Sequence, residues 1–280
     1  MTDIAVTGAT GELGGRVAHR LAAGGIPQRL VVRDPSRAPD LDGAEVTTAE
    51  YQDGEAMRRA LDGVRTMLFV SAGEAYDRLD HHRCAIDAAV AAGVERVVYT
   101  SFLGAAPDAT FTFARDHYHT EEHLRAAGLS AVALRDSLYT DYLPYFASDG
   151  VIRGPAGDGR VAPVTRDDVA DVAVVALLDE QYDGATFDVT GPALITMYDA
   201  AALMTEITGE PVRYVAETLE EAYASRASYG APDWMVTGWA TTYAAIASGE
   251  MAVVADTVQR LTGRPAISPR AYLEAALGLA

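Results

Sequence analysis

Apolar and polar positions along the first half of the chain switch between two periods. Residues 4–7 form a short apolar run that leads into Gly8. After it Leu13, Val17 and Leu21 recur at the spacing of one helix face, and Gly24-Gly25 ends the segment. Residues 29–32, the stretch around Val46, and residues 67–70, 96–100 and 130–134 predict five further strands. Between them residues 55–61, 80–92 and 112–127 carry helical spacing, and the last two segments close at Gly93 and Gly128. Strand and helix alternate over short connections. That order predicts parallel strands with helical crossovers, an α/β doubly wound sheet.

Past about residue 136 the regularity weakens. Residues 167–178 predict a helix and 186–189 a strand. From Tyr198 onward the chain reads as alanine-rich helix, broken at Gly230-Ala231-Pro232 and Gly263-Arg264-Pro265. The expected division is residues 1–150 as a nucleotide-binding domain. Residues 151–280 are expected to return to the sheet and then form a smaller, mainly helical substrate lobe over the carboxyl ends of the strands.

Composition narrows the class. The chain has 280 residues, ample for a large core. At 49% hydrophobic and 22% charged it has an ordinary globular balance. No apolar run approaches the roughly 20 residues that would span a bilayer, and no basic segment precedes an apolar one at the start. Cys84 stands alone, so an internal disulfide is excluded and a cytoplasmic setting is expected. A formal charge of −18 opposes binding to phosphate backbones, so nucleic acid is not an expected partner and neither is a membrane. The pattern leaves a homo-oligomer open. All 22 basic residues are arginine. Without a lysine, Schiff-base chemistry and any Tyr-x-x-x-Lys pair are excluded.

The first chemical motif is GATGELG, residues 8–14. It follows the first strand directly and opens a helix, the context that gives such a string meaning. Gly8 permits the tight turn, Gly11 lets a pyrophosphate approach the backbone, and Gly14 lets the helix pack against the sheet. Thr10, Glu12 and Leu13 lie on the same loop and helix start, where free N–H groups and the positive dipole end attract phosphate. The second strand ends in VVRDP, residues 31–35. An acid there selects NAD through the ribose hydroxyl, and an arginine accommodates the 2′-phosphate of NADP. Both Arg33 and Asp34 are present. Arg33 comes first and its fork suits phosphate; Asp34 precedes a proline and fits a turn. NADP(H) is therefore the expected cofactor.

These motifs resemble those of the NmrA-like atypical short-chain dehydrogenase/reductases. SAGE (71–74), YTSFLGA (99–105), LRDSLYTDYL (134–143) and PAGDGRVAPVTRDDVADV (155–172) follow in the order that family shows. Within the family the chain is most similar to NADPH-dependent quinone oxidoreductases, nearly end to end. The resemblance implies a Rossmann-type fold that binds NADPH. It implies cofactor contacts at Gly8, Thr10, Gly11, Glu12, Leu13 and Gly14, with the 2′-phosphate on Arg33. It places Asp53 near the adenine, with Glu50 at an earlier acid position. It sets Ser71, Ala72 and Gly73 beside the ribose and nicotinamide. The loop Asp136, Ser137, Leu138, Tyr139 and Asp141 would lie over the nicotinamide, and Arg166 follows as a later contact. Ser71, Ser101 and Asp136 fall where strands end, the place ligands occupy in such sheets. Each also fits a cap or turn.

HTEEH, residues 119–123, matches the spacing of a zinc-protease motif. At 100° per residue Phe113, Ala114, His117, Glu121 and Leu124 share one stripe, and His119 and His123 lie nearly opposite on a polar face. No metal site is expected. His117 and Glu121, four apart on the inward stripe, form the more interesting pair. Glu121 would hold and charge His117, which would grip the nicotinamide ribose or donate a proton. The alternative is a pair that only stabilises the helix. Tyr139 and Ser101 are the other candidates for the reacting end. Phe102, Phe111, Phe113, Tyr139, Tyr142, Tyr145, Phe146, Trp234 and Trp239 offer flat rings for a planar substrate, or simply core. The expected activity is NADPH-dependent hydride transfer to a quinone or similar conjugated carbonyl. The alternatives are a non-catalytic NADP(H) sensor of the NmrA type and a biosynthetic tailoring reductase or isomerase.

Overall fold

The computed structural model describes residues 3–147 and 149–278. The chain begins with β1 (Ile4–Thr7), α1 (Glu12–Ala23), β2 (Gln28–Val32), β3 (Ala44–Thr48), α2 (Gly54–Ala60), β4 (Thr66–Phe69), α3 (Arg78–Ala91), β5 (Arg96–Phe102), α4 (Thr112–Ala126) and β6 (Ser130–Asp136). A four-residue α5 (Leu143–Phe146), β7 (Val151–Gly154) and β8 (Arg160–Val161) follow, then α6 (Arg166–Leu178) and β9 (Thr186–Val189). The remainder is β10 (Ile195–Thr196), α7 (Met197–Thr208), β11 (Arg213–Ala216), α8 (Leu219–Arg226), α9 (Asp233–Ala247), α10 (Thr257–Thr262) and α11 (Pro269–Ala276).

Seven strands form one sheet in the order β3-β2-β1-β4-β5-β6-β9. β1 to β5 pair in parallel, with Val6 opposite both Leu30 and Leu68. This is the Rossmann order, with its switch between β1 and β4. Because side chains alternate across a strand, Ala5, Val31, Met67, Phe69, Val97 and Tyr99 reach one face. There they share a core with Met57 of α2, Ile86 of α3 and Leu124 of α4. The helices α1 and α6 pack together against the sheet on other residues, and Arg20 of α1 pairs with Asp167 and Asp171 of α6.

The residues divide into two units. The first holds Met1–Ser101, Asp116–Arg135 and Arg166–Phe187. The second holds Phe102–Arg115, Asp136–Thr165 and Asp188–Ala280. The two units interleave along the chain. The helix of residues 166–178 joins the sheet of the first unit, and residues 102–115 and 136–165 join the later residues. The second unit also contains strands that periodicity missed. β7 pairs parallel with β11, and β8 antiparallel with β10. Each has only two to four residues, too short for a period to show. Its own core includes Phe111, Leu143, Ile152, Met197, Tyr243 and Ile246.

Candidate cofactor site

The glycine loop is built by the end of β1. Thr7 Oγ1 donates to the Leu68 carbonyl (3.0 Å) and accepts from the Val70 amide (3.0 Å) and the Tyr51 hydroxyl (2.6 Å), fixing β1 to β4. Gly8 then turns the chain at φ +63°, a conformation that favours glycine, and the Gly11 amide donates back to its carbonyl at 2.8 Å. A Cβ on Gly14 would stand 2.4 Å from the Gly8 oxygen, so only glycine lets α1 start this close to the strand. Gly11 caps α1 with no side-chain hydrogen bond, and the first helical amides are left for an anion. The Leu13 side chain is core, and it is the Leu13 backbone that belongs to the loop. Glu12 turns its carboxylate to Arg16 at 2.6 Å. Thr10 is half-buried on the turn.

At the end of β2 the acid and the base part ways. Asp34 Oδ1 accepts from the Ser36 hydroxyl (2.6 Å) and the Ser36 amide (3.0 Å), and these bonds hold its carboxyl below the usual range. It caps the short turn of residues 35–37. Arg33 beside it is exposed. Asp53, expected near the adenine, caps α2 through the Ala56 amide at 2.9 Å, and Glu50 accepts from Gln52. Arg166 opens α6, half-buried.

After β4 the chain enters Ser71-Ala72-Gly73, and this stretch is held on every side. The Ser71 amide donates to Thr100 Oγ1 (2.8 Å) and the Ala72 amide to His82 Nε2 (2.9 Å). Arg78 Nε donates to the Ala72 carbonyl (2.9 Å). The Arg78 fork also reaches His117 Nε2 (2.9 Å) and Asp116 (3.4 Å). A guanidinium can only donate, so His117 Nε2 is an acceptor and its Nδ1–H donates to the Tyr99 hydroxyl at 2.8 Å. Burial, and after it the charge of Arg78, pushes the His117 pKa well below the usual histidine value. Glu121 does not charge it. Glu121 accepts from Arg135 (2.6 and 2.9 Å) and from Ser101 Oγ (2.5 Å). The expected His117–Glu121 pair is corrected: the two share the buried stripe, but the backbone sends them to different partners. The Ser101 hydroxyl is likewise spent on Glu121. On the opposite face His119 is exposed and His123 pairs with Asp87 at 2.7 Å.

In the second unit residues 136–142 form a loop pinned by its backbone. The Asp136 carbonyl accepts from Leu103, the Ser137 amide donates to Val189, and Leu138 and Thr140 bridge to Val164, all at 2.9 Å. Tyr139 Oη lies 2.8 Å from Asp136 Oδ2. Burial raises the Asp136 carboxyl well above its ordinary pKa, against the hydrogen bond from Tyr139. Asp136 Oδ1, Ser137 Oγ and Thr140 Oγ1 are buried with no hydrogen-bond partner among the described residues. Three such atoms in five residues fit a loop that keeps polar groups for a bound molecule. Asp141 is buried as well. Of the aromatic candidates, Phe111 is core, and Phe113 packs on Gly238 and Trp234. Trp239 meets Tyr229. Tyr145 is 75% exposed, and Tyr142 stacks on Phe146.

The pattern of the NAD(P)H-binding family matches residues 8–180. The chain belongs to that family. Among NAD(P)H-binding relatives, the quinone oxidoreductase 2 of Escherichia coli is 34% identical over 94% of both chains. The NAD(P)H azoreductase of Xenophilus azovorans is 31% identical over 94% of both. The crystal structure of the E. coli NADPH-dependent quinone oxidoreductase with NADPH superposes at a TM-score of 0.89, with 31% identity, over 98% of this chain and 99% of that one. The resemblance drawn from the motifs agrees. The glycine turn from β1 into α1 was legible in the sequence. Arg78 and His82 were not, because they sit on α3 with no motif, and only the fold brings them to Ala72. Tyr51 was missed for the same reason.

Proposed function

We propose that the protein is an NADPH-dependent reductase that acts on a quinone or a similar small, planar, conjugated carbonyl. One observation carries the choice of NADPH: the carboxylate of Asp34 is spent on Ser36, while Arg33 beside it is exposed. NADPH supplies the reducing hydride when bound. The residues present fit that group. The first amides of α1 face the pyrophosphate, Arg33 takes the 2′-phosphate, and Ser71-Ala72-Gly73 lines the ribose and nicotinamide. In the second unit, taken by itself, the unpartnered atoms of Asp136, Ser137 and Thr140 are suited to hold a small molecule.

The proton side of the reaction asks little of the chain. A quinone gains aromaticity on reduction, and water supplies its protons, so the absence of lysine is tolerable. Tyr139 is the group we assign to orienting or protonating substrate. His117 is not a donor in this reading, because it is neutral and its Nε2 accepts from Arg78. The names of the quinone oxidoreductase and azoreductase relatives support the substrate class. Among the described residues no helix is long and apolar enough to cross a membrane, and with Cys84 alone this supports a cytoplasmic setting.

The test is a titration of NADPH and NADH against wild type and Arg33→Ala, followed by NADPH oxidation over a quinone panel. Wild type is expected to prefer NADPH. Arg33→Ala is expected to lose about 1.5–3 kcal/mol of NADPH binding, the worth of a charge-assisted contact, and to bind NADH unchanged. Equal affinities in wild type would remove the argument from Arg33. NADPH binding without turnover of any quinone would turn the reading toward a sensor.

A further inference from the structure

The peptide unit of Ala72 is gripped from both sides. Its N–H ends on His82 Nε2 and its C=O on Arg78 Nε, each at 2.9 Å, and both side chains come from α3. Neither grip is a chance surface contact. His82 is fully buried and Arg78 is 4% exposed. Each is itself held. His82 Nδ1–H donates to Thr120 Oγ1 (2.9 Å), and the Thr120 hydroxyl in turn donates to the Asp116 carbonyl (2.7 Å). Arg78 rests on His117, and His117 on Tyr99. Five buried or half-buried side chains from α3, α4 and β5 thus converge on one peptide.

We propose that Arg78 and His82 are positioning residues that clamp Ala72 for the cofactor, and that the clamp opens when His82 takes up a proton. This rests on the reading that Ser71-Ala72-Gly73 lines the nicotinamide half of NADPH. The chemistry is direct. An imidazolium carries N–H on both nitrogens, so it cannot accept from Ala72. The Ala72 amide then faces another donor, and the peptide must rotate or move away.

The groups around His82 decide when this happens. Phe69 from β4 and Tyr99 from β5 stand edge-on at 5.1 and 5.9 Å, and Tyr51 at 6.4 Å, a dry wall that opposes charge. From its own helix Arg78 and His81 add like charge, with His81 shared by Asp77 at 3.2 Å. From α4 Thr120 only accepts from it, and His117 is neutral. Among the described residues Asp116 is an acid that meets Arg78, and burial raises its pKa, so acid weakens that contact too. Burial first, then Arg78 and His81, favours neutral His82 at neutral pH and places the opening below the ordinary histidine range.

The experiment has two readouts, neither of them turnover. The first is the NADPH dissociation constant, measured by fluorescence from about pH 8 to about pH 4, a span that reaches well below free imidazole. The second is amide exchange of the segment 71–78 in the free protein over the same span. For wild type, NADPH binding is expected to weaken by about tenfold in acid, the worth of one hydrogen bond and its alignment. Protection of the Ala72 amide is expected to fall with it. His82→Gln keeps an acceptor in reach of Ala72 and has nothing to protonate. It should bind NADPH within about threefold of wild type at neutral pH and lose most of the acid dependence. His82→Leu should show the weakened binding at every pH, with its melting curve as the folding control. If His82→Gln titrates like wild type, or if Ala72 keeps its protection in acid, the clamp is not a proton-sensitive one and the proposal falls. If wild type binds no NADPH at any pH, the cofactor reading falls, and the exchange experiment still tests the clamp by itself.

Discussion

Asp136 shows how a single side chain acts through its surroundings. Burial raises its carboxyl well above the usual range, so at mildly acid pH the folded protein keeps a proton that the unfolded chain has released. Stability from that proton is present below the unfolded value and is lost as pH rises through the folded one. Asn keeps an acceptor for Tyr139 and has no proton to lose. Asp136→Asn is therefore expected to be more stable than wild type near pH 8, by about 1–2 kcal/mol, with the difference vanishing toward pH 4. Urea unfolding at the two pH values measures it, and an equal offset at both would show that charge is not the cause. Glu121 teaches the complementary lesson. From its spacing it belonged with His117, yet Arg135 and Ser101 hold it. Spacing names the face a residue occupies. It does not name the partner, because the partner comes from a strand that periodicity cannot orient.

At the scale of the element, the turn from β1 into α1 is the part that sequence specified best. Gly8 turns the chain and Gly14 lets α1 start close to the strand, as their positions implied. Gly14→Ala would press a Cβ to 2.4 Å from the Gly8 carbonyl oxygen, and backbone on both sides leaves nothing to yield. The expected outcome is a loss of about 1–3 kcal/mol in thermal or urea unfolding, with NADPH binding lost in whatever remains folded. Wild-type stability in the variant would mean that α1 can shift, and that its start is not held by this contact. The helix α4 was legible in its faces. His119 is exposed, and His123 turns away from the buried stripe to Asp87. Replacing both with alanine should change stability by less than about 1 kcal/mol, and a chelator should leave activity unchanged. Stoichiometric zinc lost in that variant would reverse the assignment. What stayed hidden at this scale were β7, β8, β10 and β11. Strands of two to four residues carry too few side chains to alternate visibly, and neighbours distant in sequence make them.

For the molecule as a whole, acid is the expected weak point. His82 and His117 are both held well below the ordinary histidine value, first by burial and then by Arg78. Below about pH 6.5 the unfolded chain takes up protons that the folded protein refuses, so stability is full above that value and falls as pH drops. Two such groups give a slope of up to about 2.7 kcal/mol per pH unit. Urea midpoints taken across this range should show it, and His82→Gln should remove about half. A flat profile would mean that one or both imidazoles find water when charged. The same two units set a limit on rearrangement. The chain passes between them five times, after Ser101, Arg115, Arg135, Thr165 and Phe187. No single truncation yields either unit as one continuous fragment. A hybrid gene spliced from two relatives at any one junction would mix the parentage of at least one unit. Exchanging a whole unit between two relatives therefore takes several coordinated junctions at once.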